Sequence, residues 1–237
     1  PESIERIKVV NNLIEEEYSK HKLIEPTIAD KKIISLVHDL EYVNKIYDSI
    51  PNSGFTYFDP DTIASPNSLK SYLLAVGGSV DAVKYILDNK NKGVFFCAHR
   101  PPGHHAESNK AMGFGVFNNV AVSAQYALNS GKFKKILIVD FDVHHGNGTQ
   151  HIFENNPNIF YASSHQFPFY PGTGSINEVG VGNIFNATLK SGTQGAEFIQ
   201  IFENKILKPL DKFKPEVILI SAGFDAHIRD PLANINL

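Results

Sequence analysis

The chain has 237 residues, 42% of them hydrophobic and 20% charged, so it carries enough apolar material for a sizeable core and is not compositionally disordered. Lys and Arg number 22 against 25 Asp and Glu, a net charge of −3 with no basic run, which removes electrostatic support for direct nucleic-acid binding. The single cysteine, Cys97, excludes an internal disulfide framework and fits a reducing compartment, with the cytoplasm expected; no apolar run approaches the ~18 residues of a membrane span.

Residues 3–20 and 39–50 carry apolar side chains at helical spacing, and residues 68–87 read as a longer amphipathic helix. The first part of the chain is therefore expected to be mostly helical. Short apolar runs then alternate with helical stretches at 94–98, 116–128, 135–139, 159–162, 197–210 and 217–220. That alternation predicts a single α/β domain with a mainly parallel sheet flanked by helices on both faces. Residues 136–139 and 217–220 are apolar at every position, as strands covered on both sides should be. Ligands gather at the carboxyl ends of such strands. The Pro- and Gly-containing stretch 166–182 is long for a simple connection and is a candidate functional loop.

Six of the ten histidines fall within residues 99–151, where an even spread would give roughly two. After the strand ending at Val139 comes Asp140-Phe141-Asp142-Val143-His144-His145-Gly146. Residues two apart in an extended chain share a face, which groups Asp140, Asp142 and His144. Carboxylates with an imidazole at a strand end suit zinc, iron or manganese; capping and solvating a turn is the plainer alternative. The run 217–220 leads into Ser221-Ala222-Gly223-Phe224-Asp225-Ala226-His227. If the two strands are neighbours, Asp225 becomes a third ligand, and three ligands leave a coordination position open for water and substrate. His227 reads as a loop residue.

The run 94–98, read as a strand, is followed by His99-Arg100-Pro101-Pro102-Gly103-His104-His105-Ala106. Adjacent histidines in a stiff turn offer a general base, or are simply two surface residues, and Asp140 is placed to fix the tautomer of one of them. Gly146-Asn147-Gly148 lacks the third glycine of a dinucleotide fingerprint, because position 151 is His. Cys97 lies inside an apolar run and reads as a small core residue rather than a nucleophile.

Together these segments resemble the zinc-dependent histone deacetylase family, in its class II and bacterial deacetylase-like branch. The likeness runs through residues 100–106, Gly113-Phe114-Gly115-Val116-Phe117-Asn118-Asn119, residues 140–150, Tyr170-Pro171-Gly172-Thr173-Gly174 and residues 221–227, in the family's order. Residues 1–7 and Asp61-Thr62 with Ser65-Pro66 extend it over nearly the whole chain. The resemblance implies the arginase-deacetylase fold and removal of acetyl groups from N-acetyl-lysine of proteins. Acetylpolyamines, a weakly active acyl-lysine-binding module, and an arginase-like manganese hydrolase are the alternatives.

Residue by residue, the resemblance implies that Asp142, His144 and Asp225 hold Zn2+, with Fe2+ or Mn2+ as alternatives. His105 becomes the general base, and His104, paired with Asp140, a buried supporting imidazole. Asn147 stands where class I relatives carry an Asp facing that base. Gly113, Phe114 and Tyr170 line the acyl-lysine tunnel, and Asp61 binds substrate backbone at its rim. Asp140, Asp142, His144, Ser163 and Ser164 hold a structural K+, largely through main-chain oxygens. The family's oxyanion-binding Tyr lies in a Gly-Gly-Tyr segment that residues 1–237 do not contain, so a truncated domain is expected.

Overall fold

The computed structural model describes residues 3–89 and 93–237. It begins with three helices, α1 (Ile4–Glu17), α2 (Lys31–Ile34) and α3 (Leu40–Asp48). Side-chain oxygens of Ser3 and Asp30 accept from backbone N–H groups in the first turns of α1 and α2, satisfying donors that a helix start leaves open. A two-stranded antiparallel hairpin follows, β1 (Thr56–Asp59) and β2 (Thr62–Ala64), which the helical reading of this region did not include. The long helix α4 (Ser68–Asp88) comes next. Its Asp81 carboxylate accepts from Thr27 N–H at 2.7 Å and from Thr27 Oγ1 at 2.8 and 2.9 Å, tying the segment before α2 onto the helix.

Four strands form one parallel sheet: β3 (Ile136–Asp140), β4 (Ile159–Gln166), β5 (Ile184–Leu189) and β6 (Val217–Ser221), in the spatial order β5-β4-β3-β6. Helices α5 (Asn119–Asn129) and α6 (Asn147–Phe153) flank β3 in the chain. Helix α7 (Gly195–Phe202) continues through a π-turn at Glu203–Leu207 into α8 (Lys208–Phe213). On one sheet face, Ile136, Ile138, Ile159 and Tyr161 pack against Ala121, Ala124 and Ala127 of α5, whose short side chains let the helix lie close. On the other, Leu137, Phe160 and Ala162 meet Ile206, Leu210 and Phe213. Each large apolar side chain buried in these layers contributes roughly 1.5–3 kcal/mol. The expected helix-covered parallel sheet is therefore present.

Three local expectations need correction. Residues 94–98 form no strand: among the described residues nothing pairs with them, and Val94 is wholly exposed. An apolar run becomes a strand only where a neighbour takes up its backbone donors and acceptors. Cys97, read as a core residue, is exposed for the same reason. On β6, Ile218 and Ile220 are each 58% exposed, so that edge strand is covered on one face only among the described residues.

The register of the sheet sets up the site. Asp140, at the carboxyl end of β3, lies opposite Ser163 on β4 and Ser221 on β6. The segments that leave these three strands thus emerge side by side, as ligand-binding segments of open α/β sheets do.

Candidate active site

The turn after β3 carries Asp142 and His144, and the turn after β6 carries Asp225. Because β6 is the direct neighbour of β3, the three side chains meet, with one ligand atom from each within 4.8 Å of the others. Backbone donors hold them in place: His144 N–H donates to Asp142 Oδ1 at 2.9 Å and Val143 N–H to Asp225 Oδ1 at 2.9 Å. His144 Nδ1 faces Asp225 Oδ2 at 2.8 Å and Asp142 Oδ1 at 3.2 Å. Burial disfavours charge on this ring, but its hydrogen bonds to the two carboxylates outweigh burial and raise its pKa to about 9. One nitrogen and two carboxylate oxygens converging on a point form a donor set that fits a divalent cation with coordination positions left over.

Asp140 does not join this cluster. Its Oδ2 lies 2.9 Å from His104 Nδ1 and accepts from Tyr161 O–H at 3.1 Å. Of the three residues expected to share a face in an extended chain, Asp142 and His144 meet, and Asp140, the last residue of β3, is taken up by His104 and Tyr161 instead. His104 is buried, which opposes its charging, yet Asp140 first, then Asp142 and Asp225, hold it protonated and raise its pKa to about 9.

His105 is in the opposite electrical situation. Its Nδ1 lies 2.8 Å from Asn147 Oδ1, while the Asn147 amide donates to Glu107 Oε1 at 2.8 Å. Those partners orient the amide so that its oxygen accepts from His105 Nδ1–H, which leaves the ring's lone pair on Nε2. Burial, and then the nearby His104, push the His105 pKa well below that of a free imidazole. The ring is therefore neutral and able to accept a proton.

Gly113 closes over this ring. Its φ is +58°, and a Cβ there would collide with the His105 side chain, so only glycine lets the 112–115 turn lie so close. Phe114 follows with φ +65°, an uncommon conformation for a side-chain-bearing residue that costs about 1–3 kcal/mol. Two backbone hydrogen bonds between Met112 and Gly115, each 3.0 Å, impose it, and Phe114 N–H donates to Thr62 Oγ1 at 3.1 Å. Thr62 Oγ1 also lies 3.2 Å from Asp61 Oδ1, which places Asp61 beside this turn.

Tyr170 sits edge-on to His105 and His144, at ring-centroid distances of 5.2 and 6.0 Å. Burial, then Asp61 and Asp59, push its phenol up to about 12. Phe169 stacks on His144 at 5.4 Å, a contact that sequence reasoning missed although Phe169 adjoins the quoted Tyr170 segment. Ser163 and Ser164 are buried on β4, the first level with Asp140. His227 is exposed and caps its own turn, its Nδ1 accepting from Arg229 N–H at 3.1 Å.

A histone deacetylase domain profile matches residues 1–237. "Histone deacetylase 14, chloroplastic" of Arabidopsis thaliana is 39% identical over 215 residues, covering 85% of this chain and 51% of that protein. A "Probable deacetylase" of Methanothermobacter thermautotrophicus is 35% identical over 236 residues, covering 97% of this chain and 70% of that protein. The crystal structure of the HDA15 HD domain superposes with a TM-score of 0.91 at 36% identity, covering 98% of this chain and 67% of that one. The chain spans between 48% and 65% of the length of three curated relatives that it matches. Among the described residues, no helix is long and apolar enough to cross a membrane. With a profile match over its full length and these relatives alongside, the chain belongs to the histone deacetylase family.

Proposed function

We propose that the chain carries the active site of a zinc-dependent amidohydrolase that removes acetyl groups from acetylated amines, N-acetyl-lysine of proteins foremost. One observation carries the reading: a neutral His105 stands with its ring centroid 6.2 Å from that of His144, beside the convergent ligand atoms of Asp142, His144 and Asp225. Bound to those three residues, zinc, or Fe2+ or Mn2+ in its place, supplies Lewis acidity toward a carbonyl oxygen and toward water.

The chain's own groups do the rest. His105 takes the proton of the attacking water on Nε2 and returns it to the leaving amine, a role worth about 10²–10⁴ in rate. His104, kept cationic by Asp140, adds positive potential next to the base and keeps it neutral until the proton moves. Gly113, Phe114 and Tyr170 line the passage for the acyl-lysine stem, and Asp61 meets the substrate backbone at its mouth. A potassium ion held by Asp140, Asp142, His144, Ser163 and Ser164, largely through main-chain oxygens, is part of the same reading. Its support is the register that sets Asp140, the last residue of β3, opposite Ser163 on β4. A cytoplasmic setting rests on the single free cysteine.

The test is acetate release from an acetyl-lysine peptide and from acetylputrescine, each with and without a chelator. Release from the peptide, faster than from acetylputrescine and abolished by the chelator, is the expected result. Chelator-resistant release, or a clear preference for acetylputrescine, would contradict the reading.

A further inference from the structure

Beneath the loop between β4 and β5 lie two buried imidazoles, His145 and His165, with ring centroids 4.7 Å apart and no part in the reaction described above. Their hydrogen bonds fix both tautomers. His165 Nε2 faces the Gly174 carbonyl at 2.9 Å, which only accepts, so Nε2 carries the hydrogen and Nδ1 accepts from Ser163 O–H at 2.8 Å. Gln150, on α6, points its amide nitrogen at Glu178 Oε2, 2.6 Å away, so its Oε1 is the atom facing His145 Nε2 at 2.9 Å and Asn186 Nδ2 at 2.9 Å. His145 Nε2 therefore donates, and its Nδ1 accepts from Thr173 O–H at 2.8 Å. Glu178 completes the circuit by accepting from Gly174 N–H at 3.0 Å and Ser175 N–H at 2.9 Å. A Cβ on Gly174 would collide with His165, so the loop is pressed directly onto the histidine pair.

We propose that Gln150 is a positioning residue: by joining His145, Asn186 and Glu178 it latches residues 173–178 to the sheet, and through them holds Phe169 and Tyr170 against His144 and His105. Glutamine is required because the position must donate to one carboxylate and accept from two N–H groups at once. Glutamate cannot donate, and it would set two carboxylates face to face in a partly buried site. The substrate side of the inference rests on the function proposed above, in which Tyr170 walls the acyl-lysine passage.

The test compares wild type, Gln150→Glu, Glu178→Gln and the double variant Gln150→Glu/Glu178→Gln, all in the full chain. Two quantities are read: amide hydrogen exchange over residues 172–176, with residues 136–140 as internal reference, and KM against kcat for an acetyl-lysine peptide. Gln150→Glu is expected to speed exchange in 172–176 by about tenfold or more, the equivalent of one buried hydrogen bond lost, and to raise KM with a smaller effect on kcat. The double variant re-creates an acceptor at 150 facing a donor at 178 and is expected to bring both readouts back to within about threefold of wild type. Unchanged exchange in Gln150→Glu, faster exchange with an unchanged KM, parallel loosening of residues 136–140, or no recovery in the double variant would each overturn the latch. If the wild type neither binds nor cleaves the peptide, the proposed function fails, and the exchange results decide the latch on their own.

Discussion

His104 and His105 are sequence neighbours with ring centroids 4.0 Å apart, yet their Nδ1 atoms face partners of different charge, Asp140 Oδ2 at 2.9 Å and Asn147 Oδ1 at 2.8 Å. The carboxylate outweighs burial and stabilises a charged His104, whereas the amide oxygen raises the His105 pKa by less than burial and His104 lower it. One ring is held cationic and the other neutral, and the two states support one another, since a cationic His104 disfavours a second charge on His105.

Burial and His104 lower the His105 pKa, and the hydrogen bond on its Nδ1 works against them, so changing that partner changes the balance. Asn147→Asp places a carboxylate on Nδ1, favours the imidazolium and raises the His105 pKa. With His105 as the proposed base, activity needs the neutral ring, so the acidic limb of the kcat/KM profile is expected to move to higher pH. A profile recorded over the acidic range checks this, and an unmoved limb means that His105 is not the base.

Metal binding should be linked to proton release. The His144 Nδ1 proton lies between the Asp142 and Asp225 carboxylates, and the pKa of that ring is raised to about 9. A cation taking Nδ1 as a ligand must expel that proton. Apparent zinc affinity is therefore expected to rise about tenfold per pH unit below that value and to level off above it. Competition titrations with a chelator of known affinity measure the slope, and Asp225→Asn should weaken binding at every pH.

Folding stability depends on a different carboxylate. Asp81→Ala removes the acceptor for Thr27 and should cost about 1–3 kcal/mol by denaturant titration. Burial works to raise the Asp81 pKa, but hydrogen bonds from Thr27 and Lys84 prevail and lower it. A depressed folded-state pKa means stability that is present above the ordinary carboxylate pKa and lost as pH falls through the folded value. The difference between wild type and Asp81→Ala should therefore shrink on acidification.

The sequence shows the site more clearly than the sheet that holds it, and the reason is physical. Asp142 and His144 announce themselves because chemistry restricts which residue types can serve there, and the apolar runs that become β3 and β6 carry a strong hydrophobic signal. Only pairing in space, however, shows that β6 is the neighbour of β3, which brings Asp225 to the other two. Strand β5 escaped notice because Asn186 and Thr188 interrupt its apolar alternation, and Asn186 is buried there to serve Gln150. Residues 94–98 failed in the opposite way, with a strong apolar run and no pairing partner among the described residues. The Gln150 and Glu178 latch was invisible because the two residues are far apart in the chain, and each is an ordinary polar residue until the fold buries Gln150 and brings the half-buried Glu178 to it.

The most direct measurement of the central claim is acetate release from an acetyl-lysine peptide by zinc-loaded wild type and His105→Ala, with metal content determined on the same samples. A fall of about 10²–10⁴ in kcat for His105→Ala with zinc content unchanged is the predicted result. Equal rates in the two proteins would show that His105 is not the base and contradict the account.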